Sequence, residues 1–274
     1  MQVLVTNDDG IQAGGLWALA GELKKFADVT VVAPDGERSA VGTAVTLRRP
    51  LQVRPVKPPV SGVAASSVDG TPSDSVILAL GKLMAGRVDL VVSGINHGPN
   101  LGEDVHISGT VGAALQGYLR GFSAVAVSAP AVMPHGLRPG ADMQHHVTDE
   151  SMAAAARTAA LVIKRLGENP PPRRILLNIN LPPLPLSEIA GARITRLARE
   201  SHINTVEEGN HGRGKYYWLE RERLDGAAVE GTDIWAVTHG LISITPLYFN
   251  RDDKPPQAYL EALCAGLLEE LRRG

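Results

Sequence analysis

The chain has 274 residues, 44% of them hydrophobic and only 4% aromatic, which is enough for one large aliphatic core or one domain with an extension. With 27 Lys+Arg against 29 Asp+Glu, the net charge of -2 gives no basis for nucleic-acid or membrane-surface binding, and a single cysteine, Cys264, excludes an intrachain disulfide or a thiolate metal cluster. No apolar run is long enough to span a bilayer, and the N-terminus has no basic region, so a cytoplasmic protein is expected.

The first ten residues, MQVLVTNDDG, pass from an aliphatic, β-branched run at Val3–Val5 into a polar turn carrying two adjacent carboxylates. Gly14 to Phe26 places Leu16, Leu19, Ala20, Leu23 and Phe26 on one helical stripe, and Val29 to Ala33 is a second apolar run. Strand, helix and strand in this span predict a parallel βαβ unit, which sets Asp8 and Asp9 at the carboxyl end of a sheet strand, where ligands collect. Two neighbouring carboxylates repel, and a divalent cation would relieve that repulsion; a solvated turn is the alternative. Gly10, Gly14 and Gly15 do not fit G-x-G-x-x-G, which disfavours a dinucleotide cofactor.

The loop PDGERSAVGTAVT (34–46) leaves the second strand on the same sheet edge. Ser39 offers a hydroxyl there, as ligand or as plain turn residue, while Glu37 and Arg38 suit local ion pairs. Val45–Val56 alternates imperfectly, and Val63–Val68 suits a strand. Thr71 before Pro72, with Asp74 next in the first turn, reads as a helix start with apolar Val76, Ile77, Leu80 and Leu83. Asp89–Ser93 predicts another buried strand, running into a shaped loop, GINHGPNLGED (94–104), in which Asn96 can face the same crevice as the acids. Ser108-Gly109-Thr110 opens a helix of small residues, whose exposed N–H groups suit a phosphate; plain capping and close packing also suit them. His97 and His106 flank this loop, ranked below the oxygen groups, and no H-x-x-x-H or H-E-x-x-H pattern supports a zinc hydrolase.

Phe122–Ser128 predicts a strand, 130–149 a loop with a solvated His145-His146, Ser151–Leu166 a helix ended by three prolines, and Ile175–Leu181 a strand. Residues 193 to 223 are charged and carry Tyr216, Tyr217 and Trp218, with Gly209, Gly212 and Gly214 suggesting a hairpin tip. Such a hairpin has little core of its own, and is expected to be an arm on a neighbouring subunit, a substrate rim or a plain surface hairpin. Asp233–Val237 and Leu241–Thr245 return to apolar runs, and one helix is expected over Pro256–Arg273, with Leu260, Leu263, Cys264, Leu267, Leu268 and Leu271 on a broad face.

TNDDG (6–10), PDGERSAVG, GTPSDSV (70–76), SGINHGPNLGEDV (93–105) and SGTVGAA (108–114), followed by YYWLE and ISITPL, together resemble the SurE family. The resemblance implies a Rossmann-like α/β fold with a mostly parallel sheet and helices on both faces. It implies a catalytic core over 1–190 and an extension over 191–274, whose hairpin arm, returning strand and C-terminal helix serve a homodimer or tetramer. It further implies a phosphatase of nucleoside 5′- and 3′-monophosphates with one divalent metal per subunit. Asp8, Asp9, Ser39 and Asn96 would hold the metal, and Ser108, Gly109 and Thr110, with Asn96, the phosphate. Two positions depart from the family pattern: Ile107 stands where a tyrosine precedes Ser-Gly-Thr, and Gln116 lies where an acidic residue is found.

An all-oxygen donor set favours Mg²⁺ or Mn²⁺ over Zn²⁺. Asp8 or Asp9 would orient the attacking water. The competing readings are a nucleotide- or metal-binding module without turnover, a dinucleotide-dependent oxidoreductase, and a polyphosphatase using the same site.

Overall fold

The protein is described here by a computed structural model covering residues 1–84, 88–129, 149–200, 203–210, 214–221, 229–249 and 256–273. Its first strand, β1 (Gln2–Thr6), feeds two cores, Val3 and Val5 on one face and Leu4 on the other, all fully buried. A strand covered on both faces has no need of polar alternation, which is why it reads as an unbroken aliphatic run. There follow α1 (Gly14–Lys24), β2 (Asp28–Pro34), β3 (Val53–Pro55), β4 (Ala64–Val68), α2 (Pro72–Leu78), β5 (Leu90–His97), α3 (Gly109–Leu119), β6 (Ser123–Ala129), α4 (Asp149–Glu168) and β7 (Leu176–Asn180). The remainder comprises β8 (Gly191–Ile194), β9 (Ile203–Asn210), β10 (Lys215–Arg221), α5 (Asp233–Thr238), β11 (Leu241–Pro246), α6 (Gln257–Cys264) and α7 (Leu267–Arg273).

Among the described residues the main sheet has nine strands in the order β3-β4-β2-β1-β5-β6-β7-β11-β8. From β4 to β7 every neighbour is parallel; β3 pairs antiparallel to β4, and β11 antiparallel to β7, with β8 parallel to β11. Leu16 of α1, Ala155 of α4, Leu260 of α6 and Leu267 of α7 belong to one core; Val76 of α2 with Val111 and Ala114 of α3 belong to the other. The expected mostly parallel α/β sheet with helices on both faces is therefore present. After β1 the chain builds outward through β2 and β4, then crosses back to lay β5 on the other side of β1. The strand order reverses between β1 and β5, and in open α/β sheets this is where a ligand crevice forms.

Several local expectations are corrected. The first helix ends at Lys24, and Phe26, expected inward, is 37% exposed beyond it. Only Val53–Pro55 of the imperfectly alternating stretch becomes a strand, and Leu83 lies in a π-helical turn, Ala79–Leu83, that leaves it largely exposed. The strand expected to stop at Ser93 continues to His97 through an irregularity between Ser93 and Asn96. Gly94 makes this possible: its φ is +140°, and a Cβ there would lie 2.4 Å from the Val127 carbonyl oxygen. Of the two late apolar runs, the first is the helix α5 and the second the strand β11. The long terminal helix is two helices, because Gly266 turns left-handed at φ +65° and Arg165 Nη1 takes the exposed carbonyls of Leu263 and Ala265.

The ribbon of β9 and β10 pairs Asn210 with Lys215 and stays apart from the main sheet. Tyr217, Trp218 and Leu219 are all more than half exposed, so successive residues on opposite faces of β10 meet solvent in the single chain. Of the loop expected over 130–149, Asp149 instead opens α4, while 130–148 with His145-His146, and the Gly212 tip, lie outside the described residues.

Candidate active site

The turn after β1 is shaped by Gly10, whose φ is +96° and where a Cβ would approach Gly36 C to 2.8 Å. Asn7 Nδ2 donates to the Gly10 carbonyl at 3.0 Å, and the Ile11 N–H to Pro34 O at 2.8 Å. This presses the turn after β1 against the loop after β2. Asp8 and Asp9 are left at the mouth of the crevice between β1 and β5.

Asp8 is 4% exposed, and the start of α3 is built onto it. Thr110 Oγ1 donates to Asp8 Oδ1, the Arg38 N–H donates to the Asp8 carbonyl at 2.7 Å, and a Cβ at Gly109 would come within 2.8 Å of Asp8 Cβ and Oδ2. Burial, and then the charge of Asp9, raise the Asp8 carboxyl from 3.8 to about 7 against the hydrogen bonds from Thr110. Ser108 caps the helix, its Oγ accepting from Val111 N at 3.1 Å. Of the residues expected at a phosphate, Thr110 thus spends its hydroxyl on Asp8 and Gly109 supplies the space for it. Among the described residues, no hydrogen bond spends the Ser108 O–H or the Gly109 N–H.

Asp9 is more open and faces β5. The His97 N–H points at Asp9 Oδ2 at 3.4 Å, and His97 Nδ1 lies 3.5 Å from Asp9 Oδ1. That contact raises the imidazole above its ordinary value despite partial burial. Asn96 is half-buried, with its Nδ2 donating to Gly98 O at 2.8 Å. Ser39 is exposed and donates to Glu37 Oε1 at 2.7 Å, while Arg38 pairs with Asp35 at 2.9 Å. The Gly42 N–H donates to Ile107 O at 2.8 Å and ties the Ser39 loop to the approach to α3. His106 is exposed.

The loop between Asn96 and Ser108 is held by residues to which sequence reading gave no role. The Asn100 N–H donates to Asn180 Oδ1 at 2.8 Å, its Nδ2 to Ser128 Oγ at 2.8 Å, and its carbonyl accepts from Asn178 Nδ2 and Asn180 Nδ2 at 2.8 and 3.0 Å. Asp233, fully buried at the start of α5, accepts from Gly102 N through Oδ2 and from Ala198 N and Ile234 N through Oδ1. Burial pushes its carboxyl up although those N–H groups pull it down. Asn178 and Asn180 stand at alternate positions of LLNIN in β7, on one face of the strand; nothing local to Asp233 pointed to a loop 131 residues away.

A sequence model of the family described as survival protein SurE matches residues 3–204. The 5′-nucleotidase SurE of Dehalococcoides mccartyi (strain CBDB1) is 48% identical over 272 residues, covering 99% of this chain and 98% of that protein. The 5′-nucleotidase SurE of Geobacter metallireducens is 41% identical over 251 residues, covering 91% and 92%. Among solved structures, the crystal structure of the SurE protein from Aquifex aeolicus superposes with a TM-score of 0.72 at 33% identity, over 98% of this chain and 100% of that one.

Proposed function

The chain belongs to the SurE family, and from that membership and the crevice between β1 and β5 we propose that it is a metal-dependent 5′-nucleotidase, hydrolysing nucleoside 5′-monophosphates to nucleoside and phosphate. The observation that carries the reading is the acid pair at the point of strand-order reversal, with the start of α3 packed onto one of its members.

The residues present suit a hard divalent cation. Asp8 is a carboxylate raised by burial and then by its neighbour's charge, and among the described residues Asn7 Oδ1 beside it is buried without a hydrogen-bond partner. Among the described residues no group of three His, Cys, Asp or Glu side chains forms a metal cluster. The proposed donors are therefore Asp8 and Asp9 completed by neutral oxygens of Ser39 and Asn96, a set that favours Mg²⁺ or Mn²⁺ over Zn²⁺. Ser39 must exchange its bond to Glu37 to join them. When bound, such an ion supplies Lewis-acid polarisation of the phosphoryl group and a lowered pKa for bound water.

The chain's own groups divide the remaining work. Thr110 and the start of α3 fix Asp8. Asp9, more open and steadied by His97, is placed to orient the attacking water and take its proton. The Ser108 O–H and Gly109 N–H hold phosphoryl oxygens at the positive end of the α3 dipole, with Asn96 on the other side of the crevice. We place the protein in the cytoplasm, and assign the exposed ribbon of β9 and β10 to a contact with a second copy. The 191–274 extension is on this reading part of the assembly of a homodimer or tetramer.

The test is phosphate release from a panel of nucleoside 5′- and 3′-monophosphates, in chelator and after Mg²⁺ or Mn²⁺ is restored. Metal-dependent release from the 5′-monophosphates is expected. Nucleotide binding with no release under either metal would leave a binding module instead.

A further inference from the structure

One residue that holds the site together lies outside residues 3–204, the stretch matched by the family model. Asp233 opens α5, and its two carboxylate oxygens face different segments. Oδ2 takes the N–H of Gly102 at 2.8 Å, and Oδ1 takes those of Ala198 and Ile234 at 2.8 and 2.9 Å. The Glu103 N–H donates to Glu200 O at 2.8 Å, and Gly102 lies so close to Glu200 that a Cβ there would be 2.2 Å from its carbonyl oxygen. Leu101, Ala198, Ile234 and Val237 close a small apolar cluster around these bonds.

From Gly102 the chain makes one 3-10 turn, Gly102–His106, to the start of α3. The Ser108 N–H donates back to Asp104 O at 3.2 Å, Ser108 Oγ caps Val111, and Thr110 reaches Asp8. The start of α3 therefore has its position set from two ends, by Asp8 and by the 3-10 turn. The far end of the turn is fixed to the C-terminal part of the chain by Asp233. Asn96 is anchored separately, since the Gly98 N–H donates to Ala129 O at 2.9 Å and Asn100 is held by β6 and β7.

We infer that Asp233 is a positioning residue for the proposed hydrolysis: by holding Gly102 it sets where Ser108 and Gly109 stand relative to the acid pair. This rests on the nucleotidase reading of the same site. An error of an ångström in a catalytic constellation costs on the order of a hundredfold in rate, so a buried clamp on the approach to α3 has kinetic consequences beyond stability.

The experiment compares the full-length wild type with Asp233→Asn, which has one acceptor oxygen for the two sides that the carboxylate serves. Gly102→Ala displaces the same loop from its other side, by driving a Cβ against the Glu200 carbonyl oxygen, and Asp233→Ser, with one small acceptor, serves where either of these does not fold. Phosphate release from adenosine 5′-monophosphate is measured below the melting transition of every protein, with Mn²⁺ affinity measured by calorimetry. The expected result is a loss of about tenfold or more in kcat, with Mn²⁺ affinity within about twofold of wild type because Asp8 and Asp9 keep their own anchors. Full kcat in a folded variant, or an equal loss of kcat and Mn²⁺ affinity, would overturn the inference. If the wild type releases no phosphate, the nucleotidase reading fails. The inference is then judged on Mn²⁺-dependent nucleotide affinity, supported by a tenfold loss in the variants and overturned by none.

Discussion

Asp8 sits at 4% exposure with the Asp9 charge beside it, and its carboxyl is raised to about 7. An acid raised in this way contributes stability while neutral: the contribution is complete below the ordinary carboxylate range and is lost as pH rises through about 7. In chelator, Asp8→Asn, which keeps an acceptor for Thr110, is therefore expected to gain on the wild type by about 2–3 kcal/mol between roughly pH 5 and pH 8. Denaturant melts at the two pH values measure this, and a difference that does not change with pH contradicts the burial argument. Gly109 makes a second residue-scale case. A Cβ there meets Asp8 at 2.8 Å, so Gly109→Ala is expected to lower kcat/KM by about a hundredfold while the protein remains folded. Wild-type kinetics in that variant would show that the close approach does not matter to the chemistry. The acid pair was legible in the sequence as a turn at the carboxyl end of a strand, with a solvated turn as the other reading, and the burial of Asp8 speaks against the solvated one. The role of Thr110 was not, because a hydroxyl in a helix's first turn serves equally as a cap, a phosphate contact or a partner for a neighbouring acid.

At the scale of elements, βαβ order and parallel pairing follow from aliphatic runs alternating with helical stripes, and this much could be read directly. Element ends could not. Phe26 continued the stripe of α1 on paper, but helix termination depends on where the following strand must start. Gly266 broke the terminal helix because a left-handed residue, with Arg165 collecting the loosened carbonyls, ends a helix that periodicity alone would continue. Helix α2 shows the reverse, a local signal that held: Thr71 and Asp74 form a reciprocal capping box. Asp74 does more than close the box, since it is buried and accepts from Thr46 N at 2.9 Å as well. Thr71→Ala is expected to cost about 1–2 kcal/mol in urea unfolding. A change of a few tenths would mean that solvent replaces the cap without loss.

For the molecule as a whole, the strand-order reversal between β1 and β5 brings the acid turn, Asn96 and the start of α3 to one crevice, while the C-terminal part reaches back to hold the intervening loop. Sequence motifs placed these polar loops on one sheet edge. They did not show that the edge is the reversal point, because that depends on which strands become neighbours. Nor did they show Asp233, whose partner is distant in the chain. The ribbon of β9 and β10 exposes Tyr217 and Leu219 on one face and Trp218 on the other, apolar surface on both faces that the proposed second copy would cover. Trp218→Ser with Leu219→Ser is therefore expected to shift the sedimentation coefficient toward that of a monomer, and an unchanged assembly would assign the ribbon elsewhere. The Asp8–Asp9 turn is proposed as the metal-dependent centre of a nucleotidase. Its most direct test is phosphate release from adenosine 5′-monophosphate by wild type and Asp9→Asn, in chelator and with Mn²⁺ restored. Release that requires the metal and falls by about a thousandfold or more in Asp9→Asn is the predicted result. Release in chelator, or undiminished release by Asp9→Asn, would contradict it.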